Sequence, residues 1–147
     1  MPAPRWSCGP SRVRDWNSRD SQLAKEIHRT ALQLMNTKGR PVRITKSAIF
    51  RDRKLYKYLL NRKTAAKLPL TQKALSEVVE TRVQLSRRRI QWAVACFTRE
   101  GVVPSFTRLA ERAGVTNSAH LPEVTTVLKS AVISLRHRVN ACVVKVA

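Results

Sequence analysis

Four glycines in 147 residues leave no glycine-rich loop to cradle a nucleotide phosphate. The three cysteines, Cys8, Cys96 and Cys142, stand far apart. They form no CxxC pair and no Cys/His spacing suited to zinc, and they read as reduced thiols. Acidic residues are scarce: Asp15, Asp20, Glu26, Asp52, Glu77, Glu80, Glu100, Glu111 and Glu123 are the whole set. They form no DxD or DDE-like cluster to hold catalytic metal ions, so the chain reads as a non-enzyme without metal or cofactor. Glu77 and Glu80, at i and i+3, read as an exposed helical pair. His28, His120 and His137 are isolated, His28 on a polar helix face and His137 at the surface. Aromatics are 5% of the chain, with no aromatic-rich strand motif of the kind that stacks RNA bases. No apolar run approaches the roughly 18 residues of a membrane span. Met1 to Asn17 lacks the apolar stretch of a secretory signal, so none is expected.

What the chain has is positive charge. Lys and Arg number 29 against 9 Asp and Glu, a net charge of +20. Such an imbalance calls for a polyanionic partner, nucleic acid before an anionic membrane surface. The excess is uneven. Residues 38–67 hold eleven basic residues (38, 40, 43, 46, 51, 53, 54, 57, 62, 63 and 67) against one acid, Asp52, or +10. Arg87-Arg88-Arg89 is a second cluster. Apolar residues make up 43%, enough for a core without disulfides.

Read along its length, the chain divides into three parts. Residues 1–16, with Pro2, Pro4, Gly9, Pro10, Arg5, Arg12 and Arg14, predict a basic extended arm in which Trp6 and Trp16 act as anchors. Residues 17–70 form a basic helical unit. Its first helix carries Leu23, Ile27, Ala31 and Leu34 on one stripe, is capped by Asn17 or Ser18, and stops at Thr37–Pro41. The pattern apolar-Thr-x-x-Ala-apolar occurs at Ile44–Ile49 and again at Leu70–Leu75. With each Thr as N-cap and the apolar pair as a hydrophobic staple, helices should begin at Lys46 and Gln72. A further helix is expected over about 55–63. Residues 71–147 form a second unit. Its helical stretch 72–99 should bend or break at Leu85-Ser86 and stop at Gly101. A helix-turn-helix pattern follows: Ser105 caps a helix to Ala113, Gly114 makes the turn, and a last helix starts near Pro122. No strand-type alternation appears, so the predicted fold is all-α, with tandem helix-turn-helix-like units joined by long helices. The apolar tail 141–147 has no assigned role.

Basic residues around a capped helix start are suited to phosphate contact. The candidates for backbone contact are Arg40, Arg43, Thr45, Lys46, Ser47, Arg51, Arg87, Arg88, Arg89, Ser105 and Arg108. Candidates for reading bases stand where recognition helices should start: Arg53, Lys54, Tyr56 and Lys57 in the first unit, and Thr116, Asn117, Ser118 and His120 in the second. Arg can bond guanine N7 and O6 together, and Asn can do the same with adenine.

Several short motifs resemble, in order, the C-terminal part of TnsD transposon target selectors. Val13-Arg14-Asp15-Trp16 with Arg19-Asp20 and Leu23 is similar to the family's V-D-W…R-D…L, with Arg14 added. Gly39–Thr45 with Ala48-Ile49 resembles G-R-P-x-R-I-T-x-x-x-I. Lys67-Leu68-Pro69-x-Thr71, Val79-Glu80-Thr81, Arg88-Arg89-Ile90-x-Trp92-Ala93, Pro104-Ser105, Leu109-x-x-Arg112-Ala113-Gly114 and Pro122-x-Val124 follow in family order. The likeness spans about residues 11–135. It implies binding of double-stranded DNA at a fixed attachment site, in the cytoplasm of a bacterium and associated with the nucleoid. It also implies partnership with an AAA+ transposition regulator and transposase. In that family the regulator is contacted by a zinc-binding N-terminal part shared with TniQ. This chain has no such Cys/His motif, so the likeness covers the DNA-reading half alone. Two other readings fit the composition, a helix-turn-helix transcriptional regulator and a basic RNA-binding protein.

Overall fold

The computed structural model describes residues 15–51 and 61–144, with side chains as far as Arg138. Among these residues every regular element is helical, as expected of the all-α class. Helix α1 spans Trp16–Met35. Asp15 caps it, its Oδ1 accepting from the backbone N–H groups of Asn17 and Ser18 at 3.1 and 3.2 Å. The helix therefore starts before the expected caps Asn17 and Ser18. A carboxylate at the start satisfies two orphan N–H groups and suits the positive helix end. Trp16 belongs to this helix, with the Lys67 ammonium 5.2 Å from its ring centre. The rest of the predicted arm lies outside the described residues.

Helix α2, Lys46–Phe50, begins where the sequence predicts. The Thr45 hydroxyl accepts from the Ala48 N–H at 3.1 Å, and the flanking Ile44 and Ile49 are both buried. Helix α3 is the short Arg62–Ala65. Of the helix expected over 55–63, residues 55–60 lie outside the described residues, as do Arg53, Lys54, Tyr56 and Lys57; Asn61 is the extended cap of α3, so a helix begins at Arg62.

The second copy of the Thr pattern behaves differently. Helix α4 runs Pro69–Val78, so Thr71 is its third residue rather than its cap. Proline, already fixed at a helical φ, starts the helix early. Leu68, at the cap position, offers no side-chain acceptor. Asp20 of α1 supplies it instead: its Oδ2 accepts from the Leu70 N–H and its Oδ1 from the Thr71 N–H, both at 2.8 Å. The Thr71 hydroxyl donates to Oδ1 at 2.6 Å.

Helix α5 spans Arg82–Glu100 and ends at Gly101 in the left-handed conformation, as predicted. The break before it falls at Val79–Thr81, not at Leu85-Ser86, because Thr81 and Gln84 form a reciprocal capping box. Helix α6 is Phe106–Ala113, capped by Ser105, and Gly114 at φ 64° ends it. A 3-10 turn over Thr116–Ser118 leads to α7, Pro122–Val144.

Two apolar cores result. The first joins α1, α2 and α4 through Ile27, Ala31, Ile44, Ile49, Phe50, Ala74, Leu75 and Val78. The second joins α5, α6 and α7 through residues such as Ile90, Phe97, Leu109, Val124, Leu128 and Leu135. Each buried Leu, Ile or Phe contributes about 1.5–3 kcal/mol by leaving water. The cores part near Val79–Thr81, later in the chain than the expected boundary after residue 70. Among the described residues no helix is long and apolar enough to cross a membrane.

Candidate nucleic-acid interface

The segment between α1 and α2 is the hinge of the arrangement. Gly39 takes φ 101°, and after a bend at Arg40 residues 41–44 run without regular structure beside the start of α5. The Glu80 N–H donates to the Ile44 carbonyl at 3.0 Å, and the Ile44 N–H donates to Glu80 Oε2 at 3.0 Å. Arg43 Nε donates to the Glu80 carbonyl at 3.2 Å. Glu80 is thus buried, 7% exposed, and lies beyond the end of α4. This corrects the expectation of an exposed helical pair with Glu77. Glu77 alone is at the surface, 3.6 Å from His28 Nε2.

Arg88 answers Glu80. Its Nη2 donates to Glu80 Oε2 at 2.7 Å and to the Val42 carbonyl at 2.8 Å. Its Nε sits 2.6 Å from Oε1, close enough to pair electrostatically although its N–H is not aimed at an acceptor. Arg89 donates through Nε to the Pro41 carbonyl at 2.9 Å and through Nη1 to the Gly114 carbonyl at 3.2 Å. Burial, then the positive charges of Arg40 and Arg88, lower its pKa from the ordinary arginine value. The guanidinium of Arg40 lies against Gly114, where a Cβ would stand 2.6 Å from Nη1. One strap of chain, 40–44, therefore ties both cores together.

The proposed contact residues divide accordingly. Arg43, Arg88 and Arg89 spend hydrogen bonds inside the protein; Arg88, bound to Glu80, is reassigned from phosphate contact to the junction, whereas Arg89 keeps N–H groups to spare. The adjacency of Arg88 and Arg89 in sequence hid this, because successive helical residues face different ways. Arg87 points to solvent, 3.9 Å from Glu123. Thr45 and Ser105 use their hydroxyls as caps. Lys46, Ser47 and Arg51 on and beside α2, and Arg108 on α6, are exposed. Thr116 and Asn117 are exposed on the 3-10 turn, and His120 is exposed after it, all ahead of α7 rather than at its start. Ser118 is buried, and its reading as a base contact is withdrawn.

Asp20 was missed as an organising residue, although it stands in helical register with Leu23, Ile27 and Ala31. A carboxylate on an apolar stripe is a signal that something buried must bond to it. Burial pushes its pKa up, but the Thr71 hydroxyl and the Leu70 and Thr71 amides outweigh this and hold it below the ordinary value. Among the described residues no three His, Cys, Asp or Glu side chains gather as a metal-holding set. No known protein family, no curated protein and no solved structure matches this chain.

Proposed function

We propose that this chain binds double-stranded DNA sequence-specifically, without catalysis, as the attachment-site-recognising part of a transposon target selector of the TnsD kind. The observation that carries the reading is charge: 29 basic residues against 9 acidic ones. Lys46, Arg51, Arg87 and Arg108 are exposed, and no hydrogen bond ties their side chains to another described residue. Each phosphate neutralised by such a side chain releases counterions. The motif likeness supports the narrower reading. In it, the two units act as tandem helix-turn-helix-like modules, and α6 with the turn at 114–121 and α7 forms the second. An AAA+ regulator and a transposase are the partners such a module serves.

The test is selection of bound sequences from random and genomic duplexes at about 150 mM salt, where non-specific binding is weak. A long asymmetric site is expected. The double variant Lys46→Ala/Arg51→Ala should flatten the plot of log affinity against log salt by about 2. A short palindrome would point to a dimeric regulator, and displacement by structured RNA to an RNA-binding protein. Failure to enrich any sequence would sink the site-specific reading.

A further inference from the structure

We infer that Arg40 and Arg89, side by side over Gly114, form a binding site for a single phosphate-type oxyanion. In the setting of the proposed function this is a backbone phosphate of the duplex, and the inference rests on that reading only for the source of the phosphate.

Both guanidinium groups converge on one residue. Arg40 packs on the face of Gly114 that a Cβ would occupy, and Arg89 donates to the Gly114 carbonyl at 3.2 Å. Three cations, Arg40, Arg88 and Arg89, meet here, with Glu80 as the one carboxylate in the hydrogen-bonded junction. Arg88 occupies that carboxylate. Among the described residues no carboxylate lies within ion-pair distance of Arg40 or Arg89. Burial first, and then the charges of Arg40 and Arg88, disfavour the charged form of Arg89. Cations gathered without a counter-charge are stabilised when an anion joins them.

The donors match an oxyanion. Arg89 is held in place by the Pro41 and Gly114 carbonyls and keeps N–H groups to spare, since guanidinium carries five. Arg40 makes no hydrogen bond to another described residue, so its whole planar fork is available, and its side chain is reachable from solvent. Pre-positioning by the protein lowers the ordering cost that a free surface arginine would bear on binding. Gly114 is needed for φ 64°, and a Cβ there would push the Arg40 guanidinium aside.

The experiment titrates the full chain with inorganic pyrophosphate, by calorimetry and by thermal shift, against chloride at equal ionic strength. Wild type should bind and be stabilised. Arg40→Ala should raise the Kd about tenfold, the loss of one charge-assisted hydrogen bond. Arg40→Lys should recover only part, having the charge without the fork. Lys129→Ala, which removes an exposed cation of α7 far from the cluster in sequence, should bind as wild type does. Arg40 is exposed, so its variants should keep the helical circular dichroism of the wild type. Equal weakening in Arg40→Ala and Lys129→Ala, or none in either, overturns the site. If pyrophosphate fails while wild type still selects a duplex sequence, the site falls and the DNA reading stands. If pyrophosphate binds through Arg40 but no duplex is selected, the site stands and the DNA reading falls.

Discussion

Around α1 and α4 the packing is organised by buried carboxylates: Asp20 caps α4 from another helix, and Glu80 receives Ile44 and Arg88 at the edge of the same unit. Among the described residues around α5, α6 and α7 the buried side chains are apolar, apart from the uncharged Ser86 and Ser118. The first unit adds directional bonds to charge to its apolar core, whereas the second rests on shape. Directional bonds fix geometry closely but fail when a partner changes protonation, whereas apolar packing is indifferent to pH.

The comparison can be broken most forcibly in the second core. Leu128→Ala, at a fully buried position, should cost about 2–5 kcal/mol by transfer and cavity terms. Amide hydrogen exchange should show the loss at Ala93 and Leu109, and equal loss at Leu75 would mean the units unfold together. Next comes Glu80→Gln. Removing one partner of a buried pair costs about 3–5 kcal/mol, but the Arg88 side chain is 22% exposed and water offsets part, leaving about 2 kcal/mol. Chemical denaturation should find that loss, and an unchanged midpoint would remove the strap from the account of stability.

Acid should then separate the units. The folded pKa of Asp20 lies below its ordinary 3.8, so its contribution is complete above that value and fades as pH falls through the folded pKa. Exchange at Leu75 should therefore rise below about pH 4 before exchange at Leu109 does. Asp20→Asn should lower stability by about 1–2 kcal/mol at pH 7 and flatten that acid response. An acid limb unchanged in the variant would mean that another carboxylate is responsible. The smallest effect belongs to Gly114→Ala, at about 1 kcal/mol for a left-handed alanine, read as a fall in Tm.

Much of the fold could be read from the chain. Thr45, Ser105, Gly101, Gly114 and Pro122 act through local chemistry, and local chemistry is visible in a short window. The departure at Thr71 is non-local. Thr71 repeats the Thr45 pattern, yet Pro69 and the remote Asp20 change its role. The break at Thr81 was legible, since Thr-x-x-Gln is a capping box, but the apolar stripes drew the boundary to Leu85 instead. At the candidate interface, sequence identified cations and could not tell which ones face inward. Arg87 and Arg88 are neighbours, and only the position of Glu80 assigns one to solvent and the other to the interior. Several residues of the short sequence motifs bond across the molecule: Asp20 with Thr71, Ile44 with Glu80, Arg89 with Pro41 and Gly114.

The cap that Asp20 provides also sets an order of events. It reaches Leu70 across 50 positions of chain, so the first turn of α4 stays uncapped until α1 has arrived. The capping box of α5 and the Ser105 cap of α6 each close within three positions. Closing the longer loop costs more entropy and delays the reward. The caps of α5 and α6 therefore form within their own segments, whereas that of α4 forms only once α1 is packed against it.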